Sequence, residues 1–133
     1  MIIPQNLQEA TYDSVPIFSL EGLTGISKVV RVYDGDTIWV VFPIHDILYK
    51  IKIRLDGLDT PELKTPDGKG QIAKNYLESI VLNKLIKIVF MKYDKYGRPL
   101  AKLYTLDTQE CINDKLIQMG YAKPYFGGKK EDN

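Results

Sequence analysis

The clearest alternation of hydrophobic and polar positions lies in residues 47–55. One face carries Tyr49, Ile51, Ile53 and Leu55, and the other carries Lys50, Lys52 and Arg54. A period of two residues predicts a half-buried strand. Residues 26–33 and 36–42 are rich in β-branched and aromatic side chains and predict two earlier strands, joined by the turn signal Asp34-Gly35. With a second turn at 43–46, these segments are predicted to form a three-stranded meander.

The second half of the chain opens with residues 56–68, whose Asp, Gly, Pro and Thr content predicts a loop. Residues 70–84 predict an amphipathic helix, because apolar side chains recur there at helical spacing. Strands are predicted at 85–91 and 98–106 around a turn at 92–97, and a short helix is predicted at 112–119. The order β-β-β-α-β-β-α favours a mainly β, α+β fold, a five-stranded OB-fold barrel.

The chain divides into an N-terminal arm (residues 1–25), one domain (26–126) and a polar tail (127–133). The arm has little regular period, but it contains apolar side chains that could reach the body. We expect residues 15–23 to pack on the barrel or on the second helix, with a disordered arm and a dimer contact as alternatives. The apolar residues of this segment are Val15, Ile17, Phe18, Leu20 and Leu23.

Composition narrows the class of protein. A formal net charge of +1 argues against a broad nucleic-acid-binding face, so any such binding should be local, in a groove. A single cysteine, Cys111, excludes an internal disulfide and fits a reducing compartment. The first residues do not read as a signal peptide, and no apolar run is long enough to span a bilayer. We therefore expect an intracellular protein that does not associate with membranes and that is a monomer.

Candidate chemistry lies in three short segments, each of them unremarkable alone. Asp36 and Asp59 flank the predicted meander, and strand pairing can bring both carboxylates to one end of the sheet. Carboxylate and carbonyl oxygens are ligands that Ca²⁺ accepts, whereas a chain whose only histidine is His45 is a poor zinc protein. Arg54 precedes the loop, and Glu62 lies three residues beyond Asp59. The opposite hairpin supplies the last candidate, Arg98.

This set matches what hydrolysis of a phosphodiester requires: a metal, a carboxylate base and two guanidinium groups that stabilise charge on phosphorus. The three segments also resemble the staphylococcal nuclease (thermonuclease) family, and they occur in the order of the family's motifs. They are residues 32–37 (VYDGDT), residues 54–62 with the spacing Arg-x4-Asp-Thr-Pro-Glu, and residues 94–98 (DKYGR). The resemblance extends from about residue 26 to residue 125.

The resemblance implies a role for each matched residue. Asp36 and Asp59 would be Ca²⁺ ligands, together with the backbone carbonyl of Thr60. Asp34 would lie near the metal, with a water molecule between them. Arg54 and Arg98 would contact the scissile phosphate, and Glu62 would be the general base. Lys95 and Tyr96 match positions that hold a terminal phosphate. The aromatic residues that stack on the base match only loosely, at Tyr125 or Phe126.

The implied reaction is Ca²⁺-dependent hydrolysis of DNA or RNA, or both, at the 5′-oxygen, leaving 3′-phosphate ends, with single strands preferred. We expect no counterpart of the family's long C-terminal helix in residues 121–133. One alternative is a catalytically inactive module that binds nucleic acid or protein, although such copies are expected to lose catalytic residues. Another is a plain OB-fold single-strand binder, which leaves the loop from Arg54 to Glu62 unexplained.

Overall fold

Five strands close into a barrel in the order β1-β2-β3-β6-β5 in a computed structural model that describes residues 1–127. The strands are β1 (Thr24–Val32), β2 (Thr37–Ile44), β3 (Ile47–Leu55), β5 (Leu85–Tyr93) and β6 (Pro99–Tyr104). The helices are α1 (Gln5–Glu9), α2 (Lys69–Val81) and α3 (Ile112–Gln118), and a separate pair of short strands joins β4 (Leu58–Asp59) to β7 (Lys123–Pro124). The predicted α+β fold with a five-stranded barrel is confirmed.

One pairing in the barrel is parallel and determines which segments meet. β3 runs parallel to β6, with Arg54 opposite Leu100 and Leu55 opposite Ala101, whereas the other barrel pairs are antiparallel. The end of β3 therefore lies beside the start of β6, directly after the hairpin that carries Arg98. Chain segments more than 40 positions apart in the sequence thus reach the same end of the barrel.

The core lies inside the barrel and continues beneath α2 and α3. Its largest fully buried side chains include those of Phe90, Ile38, Ile53, Leu55, Leu77, Ile88, Leu103 and Leu116. The apolar face predicted for β3 is buried only toward the end of the strand, since Ile53 and Leu55 are buried whereas Tyr49 is 47% exposed. The β2–β3 hairpin extends past the packed interior, so the apolar residues at the start of β3 remain at the surface.

Several predicted boundaries shift for local reasons. β2 continues to Ile44, because the turn is the two-residue pair His45 and Asp46, both with positive φ as type I′ hairpins require. The helix predicted at 70–84, α2, ends at Val81, three residues early, because Leu82 is extended and Asn83 is left-handed. Helix α1 and the β4–β7 pair were not predicted. Among the described residues, no helix is both long enough and apolar enough to cross a membrane.

The prediction that residues 15–23 pack on the body is wrong for most of that segment. Leu20 is buried at 5% exposure, whereas Val15, Ile17 and Phe18 remain 53%, 89% and 76% exposed. Hydrogen bonds tie the end of this segment to β5 at Leu20, Gly22 and Leu23. The side chain of Leu20 alone therefore anchors this segment, in place of the broader apolar contact predicted for residues 15–23. Of the predicted polar tail, residues 128–133 lie outside the described part of the chain.

Candidate active site

Arg54 is the centre of a buried polar cluster at the open end of the barrel. Its Nη2 donates to Asp59 Oδ1 at 2.9 Å and to Asp36 Oδ2 at 3.3 Å, and its Nη1 donates to the Leu58 carbonyl at 3.1 Å. The residue alternates with the core residues Ile53 and Leu55, as predicted for the polar face of β3, but it is only 7% exposed. The loop after β3 folds back over the guanidinium, and buried charge of this kind requires such partners.

Asp36 is held from several sides. Its carboxylate accepts hydrogen bonds from the Thr37 hydroxyl at 3.2 Å and from the Thr60 amide at 3.1 Å, besides the Arg54 guanidinium. Burial raises the pKa of Asp36, and the neighbouring Asp34 carboxylate raises that pKa further, against the opposing influence of Arg54 and the Thr60 amide. Burial and the neighbouring Asp34 carboxylate therefore both disfavour the negative charge on Asp36.

Strand register explains why these groups converge. Thr37 lies opposite Arg54 in the β2–β3 pair, and the Leu55 amide donates to the Asp36 carbonyl at 2.8 Å. The turn before β2 is closed by the Asp34 side chain, which accepts from the Asp36 amide at 3.0 Å. The carboxylate of Asp36 and the start of the Asp59 loop thus lie at one end of two paired strands.

Two glycines allow the loop and α2 to approach the site closely. A Cβ on Gly35 would stand 2.7 Å from the Thr60 hydroxyl oxygen and 3.0 Å from the Ala73 Cβ. A Cβ on Gly70 would collide with the backbone carbonyl of Glu62. Sequence reasoning missed both positions. A glycine in the first turn of a predicted helix was the available signal, because it weakens the helix and indicates a close contact.

The hairpin between β5 and β6 is organised by Asp94. One carboxylate oxygen accepts the amides of Tyr96 and Arg98, both at 2.9 Å, and the other accepts the Arg98 Nε at 2.6 Å. Burial disfavours the charged form of Asp94, but these hydrogen bonds and the Arg98 charge outweigh burial and lower its pKa. The motif containing Asp94 was recognised in the sequence, but this positioning role was not.

A cleft of about 910 Å³ opens above the cluster and collects every predicted site residue. Glu62 lies on its wall and is exposed, and Tyr125 is half-buried with its ring 5.6 Å from the Arg54 guanidinium carbon. On the part of the lining formed by the β5–β6 hairpin, the ring of Tyr96 lies 5.2 Å from Lys95 Nζ and 5.4 Å from the Arg98 guanidinium carbon. The residues predicted at sequence level that line this cleft are Asp36, Arg54, Asp59, Thr60, Glu62, Lys95, Tyr96, Arg98, Tyr125 and Phe126.

Oxygen donors for a hard cation exist in the cluster, although residues 1–127 contain no ready group of three or more His, Cys, Asp or Glu side chains that could hold a metal. Asp36 and Asp59 each place a carboxylate oxygen within 3.3 Å of one Arg54 nitrogen, so both already meet around a positive charge. Repulsion between Asp34 and Asp36 would be relieved by a further cation. This donor set suits Ca²⁺, which accepts carboxylates, carbonyls and water in irregular geometry.

Asn113, at the start of α3, supports the site through its side chain, and sequence reasoning missed this role. Its Nδ2 donates to the carbonyls of Asp56 at 2.9 Å and Ala101 at 3.0 Å, and its Oδ1 accepts the Leu103 amide at 3.1 Å. The side chain is 3% exposed. It joins α3 and β6 to the first residue of the Asp59 loop, a link that no local pattern reveals.

Comparison with known proteins agrees with this picture. A family model described as staphylococcal nuclease homologue matches residues 52–133. An uncharacterized protein of Methanocaldococcus jannaschii is 38% identical over 125 residues, covering 74% of this chain and 58% of that protein. An uncharacterized endonuclease of Escherichia coli O157:H7 is 34% identical over 98 residues, and a thermonuclease of Staphylococcus hyicus is 33% identical over 105 residues. These cover 74% of this chain and 60% and 59% of their own lengths, so the chain spans about three-fifths of these relatives.

Proposed function

The chain belongs to the family of staphylococcal nuclease homologues, and from this premise we propose that it is a Ca²⁺-dependent phosphodiesterase. In this proposal it hydrolyses DNA, RNA or both at the 5′-oxygen and leaves 3′-phosphate ends, with single strands preferred. The observation that carries the proposal is the position of Arg54, held between Asp36 and Asp59 on the wall of a cleft that also receives Glu62 and Arg98.

Asp36 and Asp59 would hold the calcium ion, with the Thr60 carbonyl as a third protein ligand. When bound, the ion would supply positive charge to a phosphoryl oxygen and lower the pKa of a bound water. The chain itself positions the carboxylates. The Thr60 amide and the Thr37 hydroxyl orient the Asp36 carboxylate by donating hydrogen bonds to it.

Arg54 and Arg98 approach the cleft from different elements and stabilise charge on the phosphate. Arg54 is fixed by three hydrogen bonds at the end of β3, so little side-chain freedom remains to be lost when substrate binds. Arg98 is 47% exposed at its side chain and is oriented by Asp94. A guanidinium group can donate two parallel hydrogen bonds to phosphate oxygens, which an ammonium group cannot.

Glu62 is the group proposed to take a proton from the attacking water. It lies at the cleft wall after Pro61, and its backbone carbonyl is fixed against Gly70 at the start of α2. A positioned carboxylate contributes about 10²- to 10⁴-fold when it acts as a general base. No covalent intermediate is part of this proposal.

Lys95 and Tyr96 are proposed to bind the terminal phosphate, and the ring of Tyr125 is proposed to stack on the nucleotide base. The rings of Tyr96 and Tyr125 each lie beside a guanidinium group, at 5.4 Å and 5.6 Å, so charge and aromatic surface alternate along the cleft. Such a surface accepts unpaired bases more readily than a closed duplex.

The deciding experiment is a digest of single-stranded DNA, duplex DNA and RNA in Ca²⁺, in Mg²⁺ and in EGTA. We expect cleavage in Ca²⁺, little cleavage in Mg²⁺ and none in EGTA, because an irregular site of loop oxygens tolerates Ca²⁺ better than Mg²⁺. Products should become extendable by a polymerase only after phosphatase treatment, which identifies 3′-phosphate ends. Full cleavage in EGTA would contradict the metal requirement, and binding without cleavage in any metal would favour the inactive module.

A further inference from the structure

The outer face of β2 and β3 continues directly from the candidate active site. In the β2–β3 pair, Thr37 lies opposite Arg54, and the next outward-facing pair is Trp39 opposite Lys52. Successive outward positions on a strand are separated by about 6.6 Å, so this second pair lies one short step from the catalytic arginine. On the other side of β2, Arg31 of β1 also lies opposite Trp39.

Aromatic rings and ammonium groups interleave along this face. Lys52 Nζ lies 4.5 Å from the centre of the Tyr33 ring and 5.9 Å from that of Trp39, and Lys50 Nζ lies 5.5 Å from the Trp39 ring. Tyr33 also lines the cleft, so the rings connect the two regions. We call this surface the Trp39 strip; it consists of Arg31, Tyr33, Trp39, Lys50 and Lys52.

The strip is accessible and carries unneutralised positive charge. Tyr33 is 53% exposed, Trp39 is half-buried, and the three cations are exposed. Within residues 1–127, the ion pairs involve Arg54, Arg98 and Lys115 and leave Arg31, Lys50 and Lys52 without an acidic partner. A core function does not explain an indole on the outside of a barrel between three cations.

Resting on the proposed nuclease function, we propose that the Trp39 strip binds the part of a single DNA or RNA strand that extends beyond the cleft. Bases would stack on Trp39 and Tyr33, and the lysine ammonium groups that now cover these rings would move onto the adjacent phosphates. Stacking platforms combined with cations are how single strands are bound without sequence preference, and the face formed by strands 2 and 3 of an OB-type barrel has suitable curvature.

A single strand fits the strip better than the other occupants do. A protein partner or a second copy of the chain would favour a contiguous apolar patch, whereas here each ring is flanked by cations. The strip has the same sign of charge as the cleft arginines and begins where they end, so one polyanion can contact both.

Trp39 provides a direct readout, because it is the only tryptophan in the chain. In EGTA, where cleavage is not expected, a labelled oligothymidylate of about 12 nucleotides is titrated and followed by anisotropy and by tryptophan fluorescence. We expect tryptophan quenching to track the binding curve, and a dinucleotide to leave the fluorescence nearly unchanged because it does not reach the strip. Saturated binding of the long strand with unchanged tryptophan fluorescence would overturn the proposal.

Lys52→Gln and Lys87→Gln form a matched pair of variants. Lys87 lies 5.7 Å from the ring of Tyr104 on the β5–β6 face, so it offers the same chemistry away from the strip. Lys52→Gln is expected to weaken binding of the long strand about three- to tenfold and to reduce the magnitude of the salt slope by about 0.7, the amount for one phosphate contact on a single strand. Equal effects of the two variants would show a general charge effect and overturn the assignment.

A short chromogenic phosphodiester separates this proposal from the proposed function. It occupies only the cleft, so its Ca²⁺-dependent hydrolysis should be unaffected by Lys52→Gln, while the KM for long single strands rises and kcat is unchanged. If the protein hydrolyses the short substrate but long strands neither quench Trp39 nor bind more weakly to Lys52→Gln, the proposed role of the Trp39 strip is refuted and the nuclease function stands. If long strands quench Trp39 but the protein cleaves neither substrate, the proposed nuclease function is refuted instead.

Discussion

Asp94 binds Arg98 twice, accepting hydrogen bonds from its backbone amide at 2.9 Å and from its guanidinium Nε at 2.6 Å. The same carboxylate therefore fixes both the turn and the direction of the arginine side chain. Asp94 and Arg98 both line the cleft, and the hydrogen bond to Asp94 uses the Arg98 Nε. This makes Asp94 a positioning residue, distinct from the groups proposed to contact substrate.

Asp94→Asn should lower kcat/KM about tenfold, because a charge-assisted hydrogen bond that orients Arg98 is weakened. Since folding lowers the pKa of Asp94, its ionised form stabilises the protein at neutral pH. That contribution is complete above the ordinary Asp value of 3.8 and disappears as the pH falls through the lower folded-state pKa. The difference in free energy of unfolding between wild type and Asp94→Asn should shrink accordingly in acid.

Asp107→Asn provides the control for Asp94→Asn. Asp107 also sits in a turn, where a hydrogen bond from the Thr108 amide lowers its pKa, but it does not line the cleft. This variant should leave kcat/KM unchanged. An equal loss of activity in both variants would show that Asp94 acts only through general stability.

Arg54→Lys and Arg98→Lys should each reduce kcat on the order of a hundredfold while differing in stability. Both variants keep the charge and lose the paired donors that suit a phosphate. Arg54 is buried with three hydrogen bonds, so its replacement should also destabilise the fold by about 1–3 kcal/mol. Arg98 is half-exposed, so its variant should unfold like wild type. Wild-type kcat in either variant would remove that arginine from the mechanism.

Glu62→Gln should reduce kcat on the order of a hundredfold or more without loss of structure, because the amide cannot accept a proton from water. The side chain is exposed, so unfolding by denaturant should be unchanged. Glu78→Gln on α2, which does not line the cleft, is the matched control and should retain full activity. Calorimetric titration with Ca²⁺ should show similar affinity for wild type and Glu62→Gln if the residue acts on the proton and is not an essential ligand.

Gly70→Ala should destabilise the protein although alanine is the better helix former. In an exposed helix the change would stabilise by roughly 0.5–1 kcal/mol, but here the new methyl group collides with the Glu62 carbonyl. We expect a net loss of about 1–3 kcal/mol, in the range of overpacked sites. Activity should fall as well, because relief of the collision displaces Glu62. Increased stability on chemical denaturation would contradict this close contact.

The sequence allowed the barrel to be predicted because its strands carry local signals. Residues of β3 alternate, β2 is rich in β-branched side chains, and the turns contain glycine or the pair His45 and Asp46. Strand pairing was also predicted to bring Asp36 and Asp59 to one end of the sheet, and the carboxylates of both residues lie against the Arg54 guanidinium. Matching of three ordered segments then assembled the remaining residues of the cleft.

What escaped prediction depends on contacts between distant segments. The burial of Arg54 results from the fold of the loop after β3, and the bridge made by Asn113 joins residues that are 57 positions apart. Tyr125 is positioned by its amide, which donates to the Gly57 carbonyl at 2.9 Å. None of these relationships follows from periodicity or local propensity, because each is decided when separate elements pack together.

The N-terminal arm gives the last prediction. Leu20 is 5% exposed within the core, and the neighbouring Gly22 amide donates to the Phe90 carbonyl at 2.9 Å. The Leu20 amide donates to the Tyr93 hydroxyl at 3.2 Å, and replacement by alanine keeps this backbone donor. Leu20→Ala should therefore isolate packing, with a cost of about 2–4 kcal/mol. Ile17→Ala is the control and should cost almost nothing, since Ile17 is 89% exposed.

Deletion of residues 1–18 should leave the free energy of unfolding within about 0.5 kcal/mol of wild type, because the removed side chains are exposed. Denaturant titrations of the three variants, with sedimentation to check that each is a monomer, decide the point. A large loss on deletion combined with a small loss for Leu20→Ala would mean that the exposed apolar residues are covered in solution, by the body or by a second copy. The reverse pattern would establish Leu20 as the single anchor that joins the arm to β5.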